Sequence, residues 1–578
     1  MSHRRLTIPA AVVGCLGIAL APAFAEASTS SQTTVKHLTA GDDASLLKSG
    51  RHTFESPLSK SVFHKTAVAH AATATTPAAG SNPDLEIAMV GGAISSHGME
   101  VIVLVEGLTT GTGTVTLSWG DGSTDYTDTL TGSTANDGIQ EVDVPDHTYS
   151  ALGEYTITAS VNDGDGDSAS NSAVTATGSD FVPFGPTRVL DTRKNLGADG
   201  PVGSDETAQL KVVGAKDSAG DTVPADVTAV VLNVTVTEST ANGYLTVYGD
   251  DDLGGNAQEN PGTSNLNFQK GENVANLVTV PVGSNGEVDF FNGSSKGSTQ
   301  VIADIAGYYT ASTQSSYVAI TPTRILDTRK GTGAAKAQIQ ADKSINVTVA
   351  GANGIPADAT AVAVNLTAVD STKNGLISAY PTGQTLPTVS NLNYPTGSAT
   401  ANMAIVPIGT GGQVTFYNSS TGPVDLLADV AGYYTTDSVT GASTYIPFSA
   451  PVRYFDSRSS ENDSELGSLY PGPLSTGKAY ALPMSSPDQP FTTAVVNATV
   501  VSPTGNGYLA LYPYAPSEPT TPSTSNLNYR TGQTIPNAAF VSPSSVEDTN
   551  FDAYDDAIYL GGNGTAQVII DWFGVFAE

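Results

Sequence analysis

The sequence element that most constrains this chain occurs three times: Arg188-Val-Leu-Asp-Thr-Arg193, Arg324-Ile-Leu-Asp-Thr-Arg329 and Arg453-Tyr-Phe-Asp-Ser-Arg458. Each copy is followed by the same landmarks. A strand-like run carries a central asparagine (Asn233, Asn365, Asn497), and then comes Asn-Gly at 242, 374 and 506. Ser-Asn-Leu-Asn follows from Ser264, Ser390 and Ser525, and a closing β-like run holds one aspartate (Asp304, Asp429, Asp571). Equivalent landmarks lie 125 to 142 residues apart, too far for a solenoid repeat and enough for a private core in each unit. The expectation is a string of three related domains at 179–312, 313–440 and 441–578.

Repeat 2 shows eight strand candidates: Tyr317–Thr328, Ala337–Ala350, Ala359–Val369, Leu376–Tyr380, Ser390–Tyr394, Ala401–Ile408, Gln413–Asn418 and Val424–Tyr434. Turn chemistry such as Asn353-Gly, Asn374-Gly and Gly411-Gly separates them, and no amphipathic helix of useful length appears. Eight short strands in such a span predict an all-β fold with three tandem β-sandwich or jelly-roll repeats. In repeat 1, Val230, Leu232, Val234 and Val236 alternate with Val231, Asn233, Thr235 and Thr237, so the first set faces the core and the asparagine lies on the less apolar face.

The balance of 24 basic against 56 acidic residues argues against phosphate neutralisation as a binding mode, and with it against nucleic acid or an anionic membrane surface as partner. At the N-terminus, Arg4-Arg5, the apolar run Leu6–Leu20 and Ala23-Phe-Ala25 read as an export signal over 1–25, so the mature chain is expected outside the cell or on its surface. A twin-arginine signal and lipidation at Cys15 are the variants. Cys15 is the sole cysteine, so an exported mature chain would hold no disulfide and would depend on cores of adequate size. No later stretch is apolar enough to form a transmembrane helix. Residues 26–81, rich in Ala, Thr and Ser, read as a disordered stalk or propeptide.

A further compact domain is expected over 82–178, with strands at 86–90, 100–105, 113–119 and 156–161. Trp119-Gly-Asp-Gly122, His147-Thr-Tyr149 and Gly153-Glu-Tyr155 follow one another at sensible spacing. In these motifs the segment resembles the polycystic kidney disease (PKD) domain, an immunoglobulin-like β-sandwich. The resemblance implies a spacer or interaction module of the extracellular type. His147 has no partner carboxylate or nucleophile patterned beside it and reads as a turn-fixing side chain. After the last strand, Asp163, Asp165 and Asp167 alternate with glycine, a spacing that allows carboxylates to converge on calcium; the alternative is a solvated acidic turn.

The recurring polar set is Arg188, Asp191, Arg193, Asn265, Asn267 and Asp304, with Arg324, Asp327, Arg329, Asn391, Asn393 and Asp429 in repeat 2 and Arg453, Asp456, Arg458, Asn526, Asn528 and Asp571 in repeat 3. Asn276, Asn402 and Asn537 recur as well. One reading is a partly buried network in which guanidinium forks clamp the first strand to the last. The other is a polysaccharide site, with Tyr308/Tyr309 and Tyr433/Tyr434 offering flat faces to sugar rings. In repeat 3, Trp572-Phe573-Gly574 is expected to stand where those tyrosines stand. Carboxylate pairs such as Asp191 and Asp304 could serve a glycosidase, but three identical tandem centres and the lack of any nucleophile elbow, zinc-protease run or P-loop weigh against an enzyme.

The repeats also resemble non-catalytic modules of exported proteins from high-GC Gram-positive bacteria, through Asp327-Thr-Arg329, Ser390-Asn-Leu-Asn393 and Asp429-Val-Ala-Gly-Tyr433. That resemblance implies surface or cell-wall attachment units. The leading expectation is a non-catalytic binding or adhesion protein directed at an envelope polysaccharide. A purely structural surface spacer comes second and an envelope glycan hydrolase third.

Overall fold

The computed structural model describes residues 53–55, 59–60, 62–63, 82, 84–250, 260–283, 285–458, 470–485, 491–514, 522–544, 547–548 and 553–578. The export signal and most of the expected stalk lie outside the described residues. The chain is all-β, with antiparallel sheets and no α-helix among the described residues. It divides into two compact units, one ending at Thr177 and one running from Gly178 to Glu578.

The first unit is a two-sheet sandwich. Glu86–Ala93, Gly98–Glu106 and Gln140–Thr148 form one sheet; Thr112–Ser118, Tyr126–Thr131, Glu154–Asn162 and Asp167–Ala176 form the other. Part of the expected stalk is ordered differently from expectation. Thr53–Glu55 and Ser59–Lys60 pair with Glu86–Ala93, and Val62–Phe63 pairs with Asp167–Ala176. Unpaired sheet edges present free backbone donors and acceptors, and any extended segment can satisfy them whatever its composition.

In the second unit each repeat is a jelly roll of two sheet layers, and the first layers of repeats 2 and 3 run on into one nine-stranded sheet through the pairing of Ser316–Asp327 with Ala442–Asp456. In repeat 1, Asp180–Asp191, Gln300–Thr310, Val227–Thr237 and Val274–Pro281 lie side by side in that order. Glu206–Lys211, Glu287–Asn292, Gly243–Gly249 and Leu266–Phe268 form the facing sheet. With strands numbered within the repeat, the orders are 1-8-3-6 and 2-7-4-5. Repeat 2 has the same two orders, and all eight strands expected from its sequence are present. Repeat 3 keeps both orders and adds two short strands, Leu474–Ser475 and Glu547–Asp548.

Alternation explains the sandwich. Val230, Leu232, Val234 and Val236 point into a core that repeat 1 builds from its own residues, together with Leu245, Phe290 and Ile305. Repeat 2 has the equivalent private core around Val362, Val364, Leu366 and Phe416. The opposite face of the third strand is buried too: Val231, Asn233, Thr235 and Thr237 are all nearly inaccessible. What covers it comes from the other repeats. The three repeats are therefore not independent beads.

Candidate functional site

The recurring polar residues separate into two sets with different partners. The first set pairs within each repeat, apart from a hydrogen bond that Asp304 takes from the Ser390 amide of repeat 2. Arg188 donates from Nε and Nη2 to the two carboxylate oxygens of Asp304 at 2.8 and 3.2 Å, joining the opening strand to the closing strand. Arg324 does the same to Asp429 at 2.8 and 2.8 Å, and Arg453 to Asp571 at 2.9 and 3.4 Å. Arg193, Arg329 and Arg458 clamp Asp191, Asp327 and Asp456 two residues away. Arg188 Nη1 also lies 3.6 Å from Asp191, so the pairs form one short ladder. A planar fork meeting two oxygens fixes both side chains, which is why arginine stands at these positions.

Charge balance differs along the ladder. The hydrogen bonds from Arg193 and Arg329 hold Asp191 and Asp327 below the usual carboxylate range. Burial opposes the same effect at Asp456, where the bonds from Arg458 outweigh it. At Asp304 and Asp571 burial pushes the carboxyl up, with Arg188 and Arg453 pulling against it.

The second set crosses between repeats. Asn233 of repeat 1 donates to the Ser390 carbonyl of repeat 2 at 2.5 Å. Asn365 of repeat 2 donates to Ser525 of repeat 3 at 2.7 Å, and Asn497 of repeat 3 donates back to Ser264 of repeat 1 at 2.7 Å. The sixth-strand asparagines complete each contact. Asn402 donates to the Asn233 side-chain carbonyl at 2.9 Å, Asn537 to that of Asn365 at 2.9 Å, and Asn276 to that of Asn497 at 2.8 Å. Asn276 also accepts from the Ala538 amide at 2.9 Å, and Asn537 from the Met403 amide at 3.0 Å. The three contacts run 1 to 2, 2 to 3 and 3 to 1, so the ring is closed and pseudo-threefold.

Asn265, Asn391 and Asn526 support this ring from within their own repeats. Their side-chain oxygens accept from the amides of Val247, Ala379 and Leu511, and their backbone carbonyls accept from Asn276, Asn402 and Asn537. Of the remaining set, Asn267 donates to Ser264 Oγ at 3.1 Å and Asn393 accepts weakly from Ser390 Oγ at 3.4 Å. Asn393 and Asn528 are half-buried.

On the pseudo-axis lies an apolar hub made by all three repeats, including Phe181, Tyr309, Tyr317, Tyr434, Tyr445 and Phe576. Tyr309 and Tyr434 share a hydrogen bond of 2.7 Å between their hydroxyls. Backbone pairing closes the same circle: Phe181 with Ser315, Tyr317 with Ser443, and Tyr445 with Ser179. The recurring Gly307, Gly432 and Gly574 are needed here, because an added Cβ would lie 2.2, 2.2 and 2.6 Å from Phe181, Tyr317 and Tyr445.

This hub corrects the expected sugar-stacking faces. Tyr309 and Tyr434 are fully buried on the axis, while Tyr308 and Tyr433 pack on the cores of their own repeats. None offers a flat face to a ligand. The alignment in repeat 3 is corrected as well. Strand pairing sets Gly574, Val575 and Phe576 opposite Pro447, Ile446 and Tyr445, so Val575 and Phe576 replace the tyrosine pair, not Trp572 and Phe573. The run Asp-x-x-Gly-x-aromatic is in register in all three copies.

In the first sandwich, Trp119 stacks on His147 at 4.6 Å and Tyr149 stacks on Tyr155 at 3.8 Å. Contrary to the expectation from sequence, His147 has a partner carboxylate, Asp121 at 2.8 Å from its Nε2, which the turn brings to it from 26 residues away. The Tyr149 hydroxyl donates to the Trp119 carbonyl at 3.1 Å. The Asp121 carboxyl, although partly desolvated, is lowered to about 2 by hydrogen bonds from Ser123 and His147. These contacts fix the turn before the long strand. Among the described residues no group of three His, Cys, Asp or Glu side chains is placed to hold a metal. In the acidic turn Asp163 Oδ1 accepts from the amides of Asp165, Gly166 and Asp167 at 2.9 to 3.2 Å, while Asp165 is exposed. Short-range capping of this kind is what aspartate does in a tight turn.

Among the described residues a cavity of about 510 Å³ opens where all three repeats meet, lined by Asn273, Asn393, Tyr394 and Arg530 among others, and a cleft of about 340 Å³ opens between repeats 1 and 2. Arg188, Arg193, Thr235 and Asn273 line one wall; Ser390, Asn393 and Tyr417 line the other, with Leu386 and Pro387 at the rim. Its guanidiniums are already oriented by Asp304 and Asp191. Sequence reasoning anticipated Arg188, Arg193 and Asn393 but not Tyr417.

No family model matches the chain, and no curated protein matches it. Among solved structures, a chain described under the triple jelly roll fold and turret assembly in an archaeal virus aligns at 8% identity, covering 70% of this chain and 86% of that one, with a TM-score of 0.13. A second, from Sulfolobus Turreted Icosahedral Virus, aligns at 9% identity, covering 70% and 87%, with a TM-score of 0.12. Superposition this poor carries no argument about this protein.

Proposed function

We propose that the chain is an exported, non-catalytic binding protein of the cell envelope whose ligand is a polysaccharide held between repeats. The observation that carries this reading is the cleft between repeats 1 and 2. Pre-oriented guanidinium donors, amides and hydroxyls stand there beside Tyr417, Leu386 and Pro387, a mixture suited to the polar rim and apolar faces of a sugar ring. The export-like N-terminus supports an extracellular setting. Each carboxylate of the glycosidase alternative, Asp191 and Asp304, is engaged by a guanidinium, which supports a non-catalytic role.

The test is sedimentation of the purified chain with insoluble cell wall, chitin and cellulose, each with calcium and with EDTA. Binding that weakens at least tenfold in Asn393→Ala and Tyr417→Ala, with unchanged melting temperature, is expected. Absence from every pellet would favour the second reading, a surface spacer. That reading draws on a specific observation: most recurring polar groups already have partners within the protein.

A further inference from the structure

The closed ring carries information about partners. Contacts 1 to 2 and 2 to 3 join repeats connected by short segments, residues 311–315 and 436–441. The contact from repeat 3 to repeat 1 has no connecting segment, yet it is built from the same atoms. Asn497 donates to the Ser264 carbonyl at 2.7 Å, as Asn365 does to Ser525, and Asn276 donates to Asn497 at 2.8 Å, as Asn537 does to Asn365 at 2.9 Å. Docking at that interface is therefore achieved by surface chemistry between residues 221 and 233 positions apart.

Each repeat carries both halves of the contact. The donor half is the outer face of its third strand, bearing Asn233, Asn365 or Asn497. The acceptor half is the Ser-Asn-Leu-Asn edge with the sixth-strand asparagine beside it. Such a head-to-tail pair, repeated with a fixed rotation, closes a ring of defined number. Repeats 1 and 2 each build a core largely from their own residues, and the face opposite that core is the one that meets the neighbours.

We propose that this face is a self-association surface whose partner is another copy of the same repeat, and that peptide connection between repeats is dispensable for the ring. Connection raises the local concentration of the halves without creating the contact. A repeat from a second chain can take the place of one of its own.

The experiment places a protease site in the exposed segment Thr436–Thr440 of the full chain and cuts the folded protein. The expected result is a cut chain that elutes at the position of the uncut one, separates into two fragments only under denaturant, and keeps its near-ultraviolet circular dichroism. Mixing isotopically light and heavy cut chains, diluting and reconcentrating should then give hybrid species by native mass spectrometry. Asn365→Leu combined with Asn276→Leu in the cut chain, which removes one asparagine from each interface of repeat 3, should release the C-terminal fragment at concentrations at least tenfold higher than the unsubstituted cut chain requires. Separation of unsubstituted fragments that retain folded spectra would overturn the proposal. So would a cut chain that stays whole but never exchanges and is indifferent to both substitutions.

Discussion

The Arg–Asp ladder and the asparagine ring recur equally in the sequence, yet they act at different levels of the structure. The ladder ties strands within one repeat: Arg324 reaches Asp429 across two neighbouring strands of one sheet. The ring ties one repeat to the next: Asn365 reaches Ser525, 160 residues away in another jelly roll. Recurrence marks what a unit needs without saying whether it is needed inside the unit or at its border. Chemistry is the better guide. Charged forks serve where the partner is a fixed carboxylate, and neutral amides, which donate and accept at once, serve where two equivalent surfaces meet.

The comparison is broken most forcefully at the ladder. Arg324→Ala leaves Asp429 buried without its fork and should cost roughly 3–5 kcal/mol. Hydrogen exchange should show the loss concentrated in the opening and closing strands of repeat 2. A uniform loss over all three repeats would contradict the assignment of the ladder to one unit.

Gly432→Ala acts at the hub. The new methyl meets Tyr317 and should cost about 1–3 kcal/mol through overpacking. Unlike the ladder variant, it should lower the protection of all three repeats together, since Tyr317 touches the rings of Tyr434 and of Phe576 in repeat 3, and Tyr434 in turn touches Phe181 of repeat 1.

Acidification sharpens the contrast further. Asp191, Asp327 and Asp456 have folded values below the ordinary one, so the stability they contribute is complete above about pH 4 and is lost as pH falls below it. Asp304 and Asp571 are raised by burial and act with the opposite sign: what they contribute is present at low pH and lost as pH rises through their folded values. Melting temperature should therefore fall below pH 4, and Arg193→Gln should flatten that fall. The asparagine ring has no titrating group, so Asn402→Ala should lower the curve at every pH without changing its slope.

Much of the fold was legible because alternation and turn residues act locally. All eight strands of repeat 2 could be placed from Val, Ile and Tyr spacing and from Asn-Gly and Gly-Gly turns. Where local signal was weak, placement failed. Tyr126–Thr131 is largely exposed and polar, and Asp167–Ala176 mixes small polar residues with little apolar alternation, so neither announced itself as a strand. In the site, the Arg–Asp clamp followed from charge complementarity within one short motif. The ring did not, because its partners lie far apart in sequence. A signal was present all the same: Asn233, Asn365 and Asn497 sit among Val and Thr on a face that would otherwise be left to solvent. Tyr309 and Tyr434 misled because a tyrosine pair at a strand end looks the same whether it meets a sugar or another repeat.

The smallest effect tests the central claim most directly. Asn365→Ala and Asn537→Ala, made singly and together in the full chain, form a double-mutant cycle across the border between repeats 2 and 3. Each single change should cost about 1–3 kcal/mol, because each leaves a buried amide or carbonyl without its partner. Their 2.9 Å contact predicts a coupling energy of about 0.5–3 kcal/mol. Costs that add to within about 0.5 kcal/mol would contradict the ring.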